Sequence, residues 1–138
     1  MNVVDAEIKD IIAKYKNITV FGLSPDADKP SQAIPRFMHS KGYNVVGLYP
    51  GEKEISGFKI YQDLREVPKE LRKLVNVFRR PEHIPAVVEE VLSASGVEVL
   101  WLQLGITNKE AEKRAEAAGL KVISDRCWLV EYRKYFTN

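Results

Sequence analysis

Residues 18–25 read Ile-Thr-Val-Phe-Gly-Leu-Ser-Pro, a short apolar run that stops at a serine and a proline. A continuous apolar run of this length is typical of a strand that is buried on both faces of a sheet. A polar loop over residues 24–30 follows, and Ser31 is placed to cap the helix after it. The segment therefore predicts a strand, a loop and a helix, the repeating unit of an α/β protein.

The same alternation continues along the whole chain. Helical spacing of Val4, Ile8, Ile11, Ile12 and Tyr15 predicts an N-terminal helix that Asp5 caps, and a closing helix is expected over 128–136. Residues 55–61 are predicted only as a short extended piece. The remaining core strands are expected over residues 43–48, 74–78, 97–102 and 120–123. The pattern predicts a three-layer, Rossmann-like α/β fold: a parallel sheet of about five core strands with helices on both faces, forming a single domain over residues 1–138.

The composition of the chain argues against several classes of binding partner. The 21 Lys and Arg residues nearly cancel the 19 Asp and Glu residues, and a net charge of +2 argues against a nucleic-acid-binding face. Cys127 is the one cysteine, which rules out an intrachain disulfide and a multi-cysteine metal site. The sequence has no apolar run of membrane-spanning length and no signal-peptide pattern, so we expect a cytoplasmic protein without membrane contact.

Parallel sheets bind ligands beyond the carboxyl ends of their strands, so the residues after each strand are the informative ones. Gly22-Leu23-Ser24 follows the first strand, and a glycine there lets a phosphate approach the backbone, where the next helix offers its free N–H groups. The full dinucleotide fingerprint needs two further glycines, which are absent. An anion site and an ordinary strand-to-helix connection both remain open.

The end of the second strand reads Leu-Tyr-Pro-Gly-Glu-Lys over residues 48–53. Tyr49 and Pro50 offer a flat apolar surface for an adenine, and Lys53 offers a cation for a ribose phosphate. No carboxylate ends the strand itself, as a nicotinamide dinucleotide site requires. Glu52 lies close enough to keep NAD as an alternative, and Lys53 is also compatible with a solvated turn.

The third strand ends at Phe78-Arg79-Arg80-Pro81. Two cations at a helix N-terminus oppose the helix dipole, which suggests a bound anion that neutralises both. Pairing of the arginines with Glu82 or Asp63 is an equally open explanation.

Amide and thiol groups follow the last two strands. Gln103 carries a donor and an acceptor, and Gly105 permits close backbone contact, which suits an amide-bearing ligand. Asp125 is placed to cap the closing helix, with Cys127 in its first turn, where a thiol is more reactive. A buried, inert cysteine is the competing interpretation.

Taken together, these loops resemble the CoA-binding-domain family of small stand-alone proteins, which is related to the CoA-binding domain of the succinyl-CoA synthetase α subunit. The resemblance covers residues 17–135. It is carried by four motifs: Gly22-Leu23-Ser24, Val77-Phe78-Arg79-Arg80, Trp101-Leu102-Gln103-Leu104-Gly105, and Asp125-Arg126-Cys127 with Glu131.

The resemblance implies a Rossmann-like sheet that binds the nucleotide cofactor coenzyme A. It places the pyrophosphate at Gly22-Leu23-Ser24 and Lys29, beside the helix start at Ser31, and the adenine at Tyr49-Pro50 with Lys53 near the ribose phosphate. Phe78, Arg79, Arg80 and Pro81 then wall the site, and Gln103, Leu104 and Gly105 line the pantetheine path toward Cys127. Family members usually carry Asn where Tyr49 stands, so the adenine contact is expected to differ.

Two classes of function follow. The first is a non-covalent CoA-binding module that performs no chemistry of its own, with a mixed disulfide between Cys127 and the CoA thiol as a further hypothesis. The alternative is an NAD(P)-binding Rossmann protein or oxidoreductase. The sequence shows no carboxylate pair, Ser-His-Asp set or metal-ligand spacing. Preference for free CoA or acyl-CoA, a protein partner and a homo-oligomer all stay open.

Overall fold

The computed structural model describes residues 5–136, which form seven strands and five α-helices joined by loops and three short 3-10 turns. The strands are β1 (Asn17–Phe21), β2 (Asn44–Leu48), β3 (Glu54–Ile55), β4 (Phe58–Tyr61), β5 (Leu74–Val77), β6 (Val99–Leu102) and β7 (Lys121–Ile123). The helices are α1 (Asp5–Lys14), α2 (Pro30–Ser40), α3 (Ile84–Ala94), α4 (Lys109–Ala117) and α5 (Trp128–Phe136).

The strands form one sheet in the order β3-β4-β2-β1-β5-β6-β7. All neighbouring pairs are parallel except β3 and β4, which form an antiparallel hairpin at the edge. The Rossmann-like α/β prediction is confirmed, and the order places β1 between β2 and β5, where the winding direction reverses. A crevice at this point is where such folds bind ligands.

Residues 55–61 are more than the extended piece that the sequence predicted. Ser56 and Gly57, at φ +49° and +86°, form the tight turn of the β3–β4 hairpin. β4 then adds to the parallel sheet beside β2, with Leu48 opposite Tyr61. The sheet therefore contains a sixth parallel strand beyond the five that the sequence predicted.

Helices cover both faces of the sheet, as predicted. On one face α1, α2 and α5 bury a core that includes Ile12, Met38 and Trp128. On the other face α3 and α4 bury a second core that includes Val88 and Ala115. Within residues 5–136 every helix is too short or too polar to cross a bilayer.

The structure corrects the predicted caps of three helices, and one predicted residue lies outside the described part of the chain. Val4 falls outside the described residues, and Asp5 is in the first turn of α1. Ser31 does not cap α2, because the helix already begins at Pro30 with Lys29 at the cap position. Asp125 does not cap α5, which begins at Trp128 as predicted, because its carboxylate has another partner, described below.

Candidate functional site

The end of β1 is shaped by Gly22. Its backbone has φ +88°, a left-handed conformation that glycine adopts without strain. Its N–H donates to the Leu48 carbonyl over 2.9 Å, and a Cβ atom at this position would lie 2.6 Å from the Phe78 carbonyl oxygen. The glycine therefore lets the loops after β1, β2 and β5 meet at one point.

The predicted ligand residue Leu23 has its side chain in the core. Leu23 is fully buried and packs across Gly47 of β2, where an added Cβ would meet it at 2.8 Å. The side chain therefore points away from the surface of the site. Only the main chain of Leu23 is placed to contribute.

Ser24 holds the start of the following loop. It is buried, its hydroxyl accepts the Asp26 N–H over 3.0 Å, and its backbone N–H donates to the Ser31 carbonyl over 3.1 Å. These bonds fold the loop of residues 24–30 back onto the first turn of α2. Lys29, at the cap position, is exposed, and no side chain caps this helix.

The loop after β5 carries two arginines without acidic partners. Within residues 5–136, no ion pair involves Arg79, Arg80 or Lys29. Asp63, one predicted partner, instead binds Arg65 over 2.6 Å. Hydrogen bonds from Arg65 lower the pKa of that carboxyl to about 2. The ion-pair explanation for the two arginines is therefore wrong for Asp63, and their charge stays unneutralised among the described residues.

The helical segment after these arginines also starts without a cap. Arg80 precedes the 3-10 turn Pro81–His83, which leads into α3, and no side chain bonds the free N–H groups there. By contrast, Asn108 caps α4 and Asp63 caps the 3-10 turn at Leu64–Glu66. Uncapped N–H groups and unpaired cations thus occur together at the end of β5.

Three adjoining cavities open along the carboxyl ends of the strands. A central cavity is lined by Gly22, Ser24, Ser31 and neighbouring residues. A β2-side cavity lies toward α3 and includes Leu48 and Val87, and a β6-side cavity of about 590 Å³ lies toward α5. Arg79 lines all three, so the cavities form one groove with this side chain at its centre.

Tyr49 and Pro50 line both the central and the β2-side cavities, as the predicted adenine surface requires. Lys53 is exposed in the same turn, outside the lining of these cavities, so its contact with a ribose phosphate stays a prediction. Gln62 also lines the β2-side cavity, and the strand-end pattern of the sequence does not predict it. Gln62 directly follows β4, so assigning that strand would have pointed to it.

Gln103 and Gly105 are engaged within the protein. The Gln103 amide donates to Asn76 Oδ1 over 2.7 Å and accepts the Trp128 N–H over 3.4 Å, and the residue is buried in the floor of the β6-side cavity. The Gly105 N–H donates to the Asp125 carboxylate over 2.7 Å. Gln103 lines the β6-side cavity and Gly105 lies outside the lining of all three cavities, so the contact of both residues with an amide-bearing ligand stays a prediction.

The rest of the β6-side cavity is mainly apolar. Leu104 is 68% exposed at its rim, and Ile34 and Phe78 form its walls, with Arg80 and Pro81 at one end. Ile106 and Pro30 also line this cavity, and the sequence does not predict either of them as a site residue. An apolar channel with a cationic end suits a ligand whose long neutral arm carries a phosphate.

Cys127 lies in the lining of the same cavity and is half-buried. It lies immediately before α5 rather than in the first turn of that helix, where the sequence predicts it, because the helix begins only at Trp128. The loop that holds it is fixed by hydrogen bonds around Arg126: the Arg126 carbonyl accepts the Trp101 Nε1–H over 2.8 Å, and its guanidinium pairs with Asp5 and Glu131. The thiol is thus held at the end of the groove opposite Tyr49. Arg126 and Glu131 serve this loop and do not line the groove.

Fold and site together define a Rossmann-like α/β protein with a groove at the switch point of its sheet. The CoA binding domain family matches residues 16–133, and the chain belongs to that family.

Individual proteins are similar to this chain in sequence or in structure. An uncharacterized protein, YneT, of Bacillus subtilis is 38% identical over 122 residues, which cover 88% of this chain and 89% of the relative. A hypothetical protein from Pyrococcus horikoshii has a solved structure with a TM-score of 0.89 and 28% identity, covering 96% of this chain and 92% of that one.

A larger protein contains the same fold. A structure titled as a dinucleotide forming acetyl-coenzyme A synthetase of Ca. Korarchaeum cryptofilum matches with a TM-score of 0.70 and 24% identity. The match covers 84% of this chain and 28% of that one, so the likeness shows a shared fold within a longer chain.

Proposed function

We propose that this protein binds coenzyme A non-covalently along the groove, with its diphosphate in the central cavity. The observation that carries the proposal is the convergence of Lys29, Arg79 and Arg80, unpaired within residues 5–136, on a groove at the carboxyl edge of the sheet. Cations without acidic partners beside free helix N–H groups favour a phosphate ligand. Membership of the CoA binding domain family supports the same ligand.

The diphosphate is proposed to lie between the start of α2 and Arg79. Lys29 and Ser31 line the central cavity at the uncapped N-terminus of α2, where the positive end of the helix dipole stabilises an anion. The Arg79 side chain passes over the turn at Gly22, since its Cδ would lie 3.5 Å from a Cβ there. An anion in this cavity is therefore placed to contact both helix and guanidinium.

The two arms of the ligand then extend in opposite directions. The adenosine half is proposed to occupy the β2-side cavity against Tyr49 and Pro50, and the pantetheine arm to follow the β6-side cavity past Phe78 and Leu104 toward Cys127. This arrangement places the one neutral arm of the cofactor against the mainly apolar wall of the groove.

A binding module is favoured over an enzyme by the thiol end of the groove. Among the described residues that line the β6-side cavity, none is a carboxylate or a histidine. The potential acid–base groups in that lining are Lys29 and Cys127, so no carboxylate–histidine pair is placed against a thioester held there. The proposed role is to hold CoA or an acyl-CoA.

A nicotinamide cofactor is supported less well. The residue that ends β2 is followed by Tyr49 and Pro50 rather than by an acid that binds the ribose hydroxyls. The loop after β1 also has only Gly22 of the glycine fingerprint.

A finer part of the proposal is a mixed disulfide at Cys127. Its thiolate attacks one sulfur of a CoA disulfide, the sulfur–sulfur bond of that disulfide breaks, and one CoA leaves as its thiolate. The product keeps the second CoA joined to Cys127. The supporting observation is that Cys127 lines the cavity assigned to the pantetheine arm.

Native mass spectrometry of the freshly purified protein tests the proposed cofactor. With equal concentrations of CoA and NAD added, we expect a non-covalent complex of CoA mass to dominate. Retention of NAD in place of CoA, or of neither, contradicts the proposal. A variant with Lys29, Arg79 and Arg80 all changed to Ala is the control, because it should fold and lose the CoA complex.

A further inference from the structure

Gln62 is a surface side chain whose polar atoms all bind one turn of the backbone. Its Nε2 donates to the carbonyl of Tyr49 over 2.9 Å and to that of Glu52 over 2.7 Å. Its Oε1 accepts the N–H of Gly51 over 2.9 Å. An exposed glutamine rarely needs such fixed partners, because water satisfies its amide equally well.

The turn that Gln62 binds forms one wall of the groove. Residues 49–53 connect β2 to β3; the turn that Gln62 binds spans residues 49–52, and Gly51 adopts φ +78° within it. Within residues 5–136, no other side chain forms a hydrogen bond with the backbone of this turn. Gln62 is therefore the described side chain whose hydrogen bonds hold the backbone that carries Tyr49 and Pro50.

Gln62 is itself held at the start of the next segment. Its backbone N–H donates to Glu66 Oε1 over 3.2 Å, and Glu66 is part of the capping box of the following 3-10 turn. β4, which ends one residue earlier, is paired with β2. The backbone of Gln62 is thus held by the sheet and by the 3-10 turn, and its side-chain amide in turn holds residues 49–52 in place.

We propose that Gln62 is a positioning residue that sets the base-binding wall, and so determines affinity for the nucleotide half of the ligand. The inference rests on the proposed function. A preformed wall lowers the ordering cost of binding, whereas a mobile turn must be ordered each time the ligand binds. The pantetheine arm follows the opposite cavity, which Gln62 does not line, so its binding should not respond.

Isothermal titration calorimetry with three probes separates these effects: CoA, adenosine 3′,5′-bisphosphate and 4′-phosphopantetheine. The variant Gln62→Met keeps the length of the side chain and removes all three hydrogen bonds. We expect affinity for CoA and for the bisphosphate to fall about tenfold. Affinity for phosphopantetheine should stay within about twofold of the unmodified protein.

Asn17→Ala is the matched control, because the Asn17 side-chain amide also donates to a backbone carbonyl, that of Glu70 over 3.1 Å, at the opposite end of β1 from the groove. It should lower thermal stability without changing affinity for the bisphosphate. Equal losses for both half-ligands in Gln62→Met, unchanged affinity for the bisphosphate, or the same loss in Asn17→Ala overturn the inference. If the unmodified protein binds none of the three probes, the proposed function fails instead.

Discussion

Gly22 and Phe78 join the ends of β1 and β5 at the centre of the groove. The Phe78 carbonyl oxygen occupies the space in which any other residue at position 22 would place its Cβ, at a separation of 2.6 Å. One residue earlier, the Phe21 carbonyl accepts the Phe78 N–H over 2.8 Å. The glycine is therefore required by the protein's own backbone, whether or not a phosphate also approaches it.

Replacing Gly22 with Ala should damage both stability and binding. The left-handed backbone at φ +88° costs a non-glycine residue about 1–3 kcal/mol, and the contact with Phe78 adds to that. Relief of the contact must move the loop that carries Arg79, so affinity for CoA should fall as well. Denaturant unfolding and calorimetry measure the two effects.

Gly42→Ala is the control for this substitution. Gly42 has φ +91° and nothing within 4 Å of an added Cβ, so only the conformational cost applies. Its variant should lose about 1 kcal/mol of stability and keep its affinity for CoA. Equal effects of the two substitutions on CoA affinity would show that the Phe78 contact does not shape the groove.

Cys127 should form a mixed disulfide when the protein is incubated with CoA disulfide. Denaturing mass spectrometry is expected to show a gain of one CoA less two hydrogen atoms, because the thiol lies in the cavity assigned to the pantetheine arm. The gain should disappear on reduction. The mass gain should also be absent in Cys127→Ser. It should form more slowly in Arg79→Ala, because that variant is expected to bind the CoA disulfide less tightly. A rate equal to that of a free thiol peptide rules out a templated reaction.

The pH dependence of stability should change above pH 10 when Tyr43 is replaced. The Tyr43 hydroxyl donates to the Ile12 carbonyl over 2.6 Å, and burial, with a smaller contribution from Tyr132, raises its pKa from 10.0 to about 12. The stability linked to this raised pKa is present below pH 10 and is lost as the pH rises toward 12.

At neutral pH, the free energy of unfolding of Tyr43→Phe should therefore be about 1 kcal/mol lower than that of the unmodified protein, because the hydrogen bond is missing. Raising the pH should then lower the free energy of unfolding of the variant less than that of the unmodified protein. Urea unfolding at neutral and alkaline pH measures this difference. Tyr61→Phe is the control, because no hydrogen bond of the Tyr61 hydroxyl is recorded within residues 5–136. If both variants follow the pH dependence of the unmodified protein, Tyr43 is not the responsible group.

The sequence predicts this fold well where burial determines it. The core strands and the closing helix from Trp128 to Phe136 are apolar runs and stripes that only a covered parallel sheet accommodates. β4 was assigned less well because it has only four residues at the edge of the parallel sheet, with alternating burial, and its pairing with β2 depends on the β3–β4 turn. A local pattern does not encode that pairing.

The residues of the groove also differ in how well the sequence predicts them. Arg79 and Tyr49 could be predicted because they directly follow strands that the sequence identifies, and Cys127 because it lies in the loop after the last strand. Gln103 lines the groove, but its partner Asn76 is 27 residues away in the sequence, so the sequence does not reveal that the Gln103 amide is already hydrogen-bonded. Gln62 was missed because the strand before it was not assigned.

Titration calorimetry of CoA with Arg79→Ala tests the central claim most directly, since Arg79 lines all three cavities of the groove. Arg80→Ala is the matched control, because the adjacent arginine lines only the β6-side cavity. The account predicts a loss of about 1.5–3 kcal/mol in binding free energy for Arg79→Ala and a smaller loss for Arg80→Ala. CoA affinity that is unchanged in Arg79→Ala, in a protein that binds CoA, would contradict it.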